Sequence, residues 1–280
     1  MSNKLEAILQ TASLMPAIPR AVQEVLKLLQ KDETTVDELA DAVSLDPVIA
    51  AKVLRMANSA FFGRSKQVDK IEDAAYLIGI DSIRTMVLAS GMMGSIDNTK
   101  NFDLNRFWRL SLLSAYIARD LAKFYGHDGN KAYTAALIHG LGVLAIHKAV
   151  PEVAAEIDST CADNCAYDRA DAENKALGFD HAEVSAAIAS FWNLPEQIGE
   201  SIRHYPHPSL QNKPEDMAGL IHVSVALAID ISDNIPYEKW YSTLDAAVHD
   251  LLDPTLSRLP ELQPRFDKAK QFVDMMVNTH

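Results

Sequence analysis

The chain of 280 residues has 48% hydrophobic and 23% charged residues, the balance of a globular protein, and a formal net charge of −12. That charge is uneven, −2 over residues 1–100 and −10 over residues 101–280, so the second part repels nucleic-acid phosphates and nucleic-acid binding is not expected of it. Aromatic residues make up only 7%, and the abundance of Ala and Leu favours helix over sheet.

Two cysteines, Cys161 and Cys165, are spaced to share one helix face. They make no disulfide framework and at most half a structural zinc site, so a reducing cytoplasm is expected. The opening MSNKLEAILQ lacks the apolar core of a signal peptide. The longest apolar stretch, Met217–Ile229, is too short to cross a bilayer, so no membrane association is expected.

In chain order, Leu5, Ile8 and Leu9 suggest a short first helix, and Pro16 and Pro19 punctuate the chain. A helix over residues 20–30 follows, with Val22, Val25, Leu26 and Leu29 as its apolar stripe. Thr35 and Glu38 have capping-box spacing. Asp46-Pro47 opens the next helix, with Asp as N-cap and Pro at the first helical position. Asp69 and Glu72 mark a further start, Gly79 a C-cap, and Asp81 the cap of the helix beyond. The polar stretch 95–101, after Gly91 and Gly94, divides a helical part at 1–94 from a second at 95–280. The second part predicts helices over 107–125, 130–147, 151–159, 168–176, 181–192, 195–204 and 215–231, then a last pair at 241–251 and 259–277. No alternating apolar pattern supports a sheet and no internal repeat is present, so the fold is expected to be all-α.

Residues 34–57 scan as helix, tight turn, helix, the way a DNA-reading motif begins. The second helix offers only Lys52 and Arg55 as basic groups, which favours two packed bundle helices over a DNA reader.

A more specific signal runs through the chain: LMPAIPR at 14–20, Asp46-Pro47, KVLRMANSAFF at 52–62 and IEDAAYLIG at 71–79. It continues through Phe107-Trp108, ALIHGLG at 136–142 and residues 177–195. In this order and spacing the chain resembles the HDOD domain, a helical output module of bacterial signalling proteins, over about residues 10–230. The resemblance implies a helical N-terminal subdomain packed on an HD-like helical bundle with a C-terminal helical extension. That bundle is similar to the HD phosphohydrolases. Active HD enzymes hold metal ions with an early histidine, a His-Asp pair, further histidines and a late aspartate, because the metals activate water and neutralise phosphate.

Here the His-Asp pair reads His139-Gly140, the early histidine falls at Leu110, and the late aspartate falls at Val225. The His-His pair of the related cyclic-dinucleotide phosphodiesterases reads His204-Tyr205. His139, His181 and His204 remain as a remnant metal set, with His207 and His222 as substitutes. Three imidazoles can bind zinc, so a residual divalent metal stays open, although no cofactor is expected. The favoured reading makes these histidines hydrogen-bonded core or rim residues. His127, His147 and His249 read as solvent-facing or capping. No Walker motif, dinucleotide-binding glycine pattern or nucleophile elbow occurs.

Asn58 follows a predicted helix end and suits a left-handed C-cap. Arg55, Asn58 and Ser59 are also the candidate partner-contact residues. The function expected is non-catalytic signal output through contact with another signalling protein. The alternatives are a divergent metal-dependent phosphohydrolase and a DNA-binding regulator.

Overall fold

The computed structural model describes residues 18–29, 31, 33–62, 67–94, 102–161, 166–208, 216–236, 240 and 259–278. Among these residues every regular element is helical, and no strand occurs. Packing divides the described residues into two compact units, 18–94 and 102–277. The expected helices at 5–9 and 241–251 lie outside the described residues.

The first unit holds α1 (Arg20–Leu28), α2 (Val36–Ser44), α3 (Pro47–Ala57), α4 (Ile71–Ile78) and α5 (Ile80–Gly94), with a 3₁₀ turn at Ala60–Phe62. Local chemistry sets most of their ends. Thr35 accepts from the Glu38 amide while the Glu38 carboxylate accepts from the Thr35 amide, the expected capping box. Asp46 accepts from the amides of Val48 and Ile49 and starts α3 with Pro47 inside its first turn. Gly79 ends α4 at φ +90°, a conformation that L side chains rarely adopt. Two expectations shift. The N-cap of α4 is Lys70 rather than Asp69, and it makes no side-chain cap bond. Helix α5 begins at Ile80, so Asp81 sits in its first turn and pairs with Arg84. Helix α5 packs against α1, α3 and α4, with Val22, Val53, Ile83, Met86 and Val87 fully buried.

Asn58 is the C-cap of α3, but at φ −86° and ψ 2° it is not left-handed. The side chain explains why. Its Nδ2 donates to the carbonyls of Leu54 and Val68, both at 2.8 Å, and its Oδ1 accepts from the Val68 amide at 2.8 Å. The amide group serves as a clasp between the helix end and Val68, so no strained backbone is required.

The second unit contains α6 (Leu104–Ala122), α7 (Gly129–Ile138), α8 (Leu141–Ala149), α9 (Pro151–Thr160), α10 (Ala166–Leu177), α11 (His181–Phe191), α12 (Glu196–His204), α13 (Asp216–Ser232) and α14 (Leu259–Asn278). Helix α6 packs on α7 and α13, and α11 packs on α8 and α12. The helix expected over 130–147 is two helices, broken at His139 and Gly140. Cys161 is the C-cap of α9, so one helix does not carry both cysteines, and Cys165 lies outside the described residues. Helices α8 and α11 touch almost backbone to backbone. A Cβ on Gly142 would stand 2.0 Å from the His181 carbonyl oxygen.

Two substitutions follow from these contacts. Asn58→Leu removes all three bonds of the clasp and leaves the Val68 backbone groups unpaired. It is expected to cost about 1–3 kcal/mol, read as a lower urea midpoint, and an unchanged midpoint would show that the clasp contributes nothing. Gly142→Ala forces a methyl into a backbone oxygen that cannot swing away. A loss of about 1–3 kcal/mol or more is expected, read as a Tm lowered by several degrees.

Candidate functional site

The second unit holds a partly open cavity of about 320 Å³. Helix α6 lines one side with Arg106, Phe107, Leu110 and Ser111, residues three and four apart and so on one helical face. Val225 and Ile229 of α13 continue this apolar wall. The break between α7 and α8 turns His139 and Gly140 to the same space. Asp158, Arg169, His181 and Tyr205 close the polar side.

That polar side is one connected network. His147 Nε2 meets Asp158 Oδ2 at 2.8 Å, and Arg169 donates to Asp158 at 2.7 Å and to Glu173 at 2.8 Å. Glu173 Oε2 accepts from the His181 backbone amide at 2.7 Å and faces His181 Nδ1 at 2.6 Å. His181 Nε2 in turn faces the Tyr205 hydroxyl at 2.6 Å. Both ring nitrogens of His181 are therefore committed. Burial by itself pushes the Glu173 carboxyl up, but His181 and Arg169 outweigh it and hold the carboxyl below its usual range. Asp158 behaves likewise: burial raises it, and bonds from Arg169 and His147 bring it below the usual value. At the other end of the cavity, Arg106 grips Asp233 with two bonds of 2.8 and 3.1 Å.

His139 has a different environment. Its Nδ1 lies 2.6 Å from the Ala136 carbonyl, so this nitrogen carries the proton. Its ring stands edge-on to Tyr205, with centroids 5.2 Å apart. Burial, reinforced by His181 against the opposing bond to Ala136, lowers its pKa to about 4. Ser185 Oγ donates to the His139 carbonyl at 2.7 Å and accepts from the Gly142 amide at 2.8 Å, which fastens the helix break to α11.

The structure brings together two of the three expected histidines. His139 and His181 line the cavity, whereas His204 is half-buried at the end of α12 with Nε2 3.3 Å from Glu200. The cavity position belongs to its neighbour, Tyr205. His207 and His222 do not line the cavity either; His207 faces Asp171 and His222 faces the Tyr205 carbonyl. His147, expected to face solvent or to cap a helix, is buried, and Asp158 and the Val143 carbonyl partner its two nitrogens. His249 lies outside the described residues. Leu110, Gly140 and Val225, which the family resemblance sets at ligand positions, all line this one cavity. Among the described residues no group of three or more His, Cys, Asp or Glu is placed to hold a metal ion. Arg55, Asn58 and Ser59 belong to the first unit, with Arg55 exposed and Asn58 engaged in its clasp.

Sequence reasoning missed Arg169, Glu173 and Tyr205. The four-residue spacing of Arg169 and Glu173 on one helix was the available signal for an ion pair.

The HDOD domain family matches residues 15–208. The chain belongs to the HDOD domain family. A structure from Shewanella amazonensis SB2B, provisionally named a phosphohydrolase, is 30% identical, with 95% of this chain and 98% of that one covered at a TM-score of 0.73. An HDOD domain protein from Geobacter sulfurreducens shares the fold at 20% identity, 98% coverage of both chains and a TM-score of 0.73. An uncharacterised protein from Treponema pallidum is 27% identical over 231 residues, 80% of this chain and 44% of the relative. The HDOD chain thus spans under half the length of that curated relative.

The depressed pKa of His139 has a definite sign for stability. Between about 4 and 6.5 the unfolded chain takes up a proton that the folded chain refuses, so acidification through this window destabilises the fold. The contribution is up to about 3 kcal/mol and is fully present above the unfolded pKa. The stability of the native protein relative to His139→Gln is expected to fall by this order from pH 7 to pH 4.5, measured by urea unfolding. A constant difference would show that His139 titrates normally.

Proposed function

We propose that this HDOD protein is a cytoplasmic, non-catalytic signal-output protein that acts by binding another signalling protein and uses no metal. The observation that carries the reading is the convergence of Leu110, Gly140 and Val225 on one cavity. None of these side chains can ligate an ion, and a two-metal site needs several anionic ligands to hold its ions and orient water. The donors that remain do not fit a divalent metal. His181 has no free nitrogen, Asp158 is held by Arg169 and His147, and His204 lies outside the cavity lining. Among the described residues no helix is long and apolar enough to cross a membrane. Family membership supports the signalling role, and the free thiol of Cys161, among the described residues, supports a reducing compartment. The 30% identity to a provisionally named phosphohydrolase makes hydrolysis the reading to test against.

The test is metal analysis and turnover. Protein purified with manganese, iron or zinc present is expected to hold no stoichiometric metal and to hydrolyse neither bis-p-nitrophenyl phosphate nor a cyclic dinucleotide. Gly140→Asp is expected not to rescue activity. A Cβ there already meets Phe107 Cε2 at 3.0 Å, and Leu110 and Val225 would still be unable to ligate. Bound metal together with turnover that disappears in His139→Ala would sink the non-catalytic reading.

A further inference from the structure

The cavity is larger than a vestige requires. Its volume of about 320 Å³ is within the lower range of small-molecule pockets. It is roughly twice that of an apolar cavity known to admit benzene.

Charge decides what kind of molecule suits it. Arg106 gives both terminal nitrogens to Asp233, and Arg169 is shared between two carboxylates, with its remaining nitrogen buried. A phosphate entering here would lose its hydration and meet only arginines already matched by carboxylates. An anion is therefore disfavoured, and the apolar wall of Phe107, Leu110, Val225 and Ile229 suits a ring.

The lining also carries polar atoms outside these ion pairs, and His139 supplies the one that faces the apolar wall as an acceptor. The His139 proton sits on Nδ1, toward the Ala136 carbonyl, so Nε2 presents a lone pair. That nitrogen makes no hydrogen bond among the described residues, and His139 lines the cavity. An acceptor that opens to the cavity beside an apolar wall is matched by a donor on an otherwise apolar ligand.

We propose that this cavity binds a neutral, largely apolar molecule of one or two fused rings that carries a single N–H or O–H donor, and that this donor bonds to His139 Nε2. The inference rests on the metal-free reading of the same cavity. The two fail separately, because metal-supported turnover defeats that reading and absence of ring binding defeats this one.

The experiment titrates the full-length protein with indole, 1-methylindole and inorganic phosphate, using calorimetry and the imidazole ¹⁵N resonances. Indole is expected to bind saturably, one per chain, and to move the His139 Nε2 resonance. Removing the donor in 1-methylindole should weaken binding about three- to ten-fold, the worth of one hydrogen bond. Phosphate should move nothing. Val225→Trp, or Leu110→Trp if the first does not fold, should fill the cavity and abolish indole binding, with folding checked by circular dichroism. No saturable indole binding, equal affinity for the two indoles, displacement by phosphate, or binding that persists in a folded cavity-filling variant would each overturn the proposal. The comparison of the two indoles on the native chain decides the matter even if neither variant folds.

Discussion

A carboxylate with no solvent exposure persists only where donors and opposite charge surround it, and Glu173 is such a group. Arg169 reaches it from one turn away on the same helix, while the backbone amide and ring of His181 reach it from the start of α11. The negative charge also sits where the first amides of α11 point, a favourable place for an anion. These bonds fix the orientation of His181, and His181 fixes the Tyr205 hydroxyl at the end of α12. Three helices are thus registered to one another through a single buried charge.

The cavity inherits its two characters from this arrangement. On the polar side every charge has a partner, so the network specifies geometry and offers little to an incoming ion. On the other side leucine, valine and isoleucine form an apolar wall that offers an ion nothing. The break at His139 and Gly140 joins the two. It ends α7 early enough for the imidazole to turn inward and for the backbone to be held by Ser185.

What could be read from the sequence follows the range of the interactions. The caps at Thr35, Asp46 and Gly79 are chosen by neighbours within three residues, and they lie where spacing puts them. The all-helical fold was legible through periodicity and family resemblance. The interruption at 139–140 was not, because ALIHGLG keeps an apolar helical pattern across it. Asn58 was placed correctly as a cap but given the wrong backbone, since its partner at Val68 lies ten residues on. His147 and Tyr205 were misread or missed for the same reason: Asp158 and His181 are distant in sequence, and only the folded chain shows which residue of the last turn of α12 faces inward.

The near contact of Gly142 with the His181 carbonyl has a mechanical meaning. Where side chains separate two helices, rotamer changes let them slide; where backbone meets backbone, no such slack exists. Helices α8 and α11 must then move as one stiff body, carrying His139 and His181 together. The more compliant part of the cavity is the opposite wall, where Leu110 can change rotamer without breaking a hydrogen bond, while the β-branched Val225 and Ile229 keep near one χ1 on their helix. Any occupant would be felt as a displacement of α6 and α13 against a fixed floor.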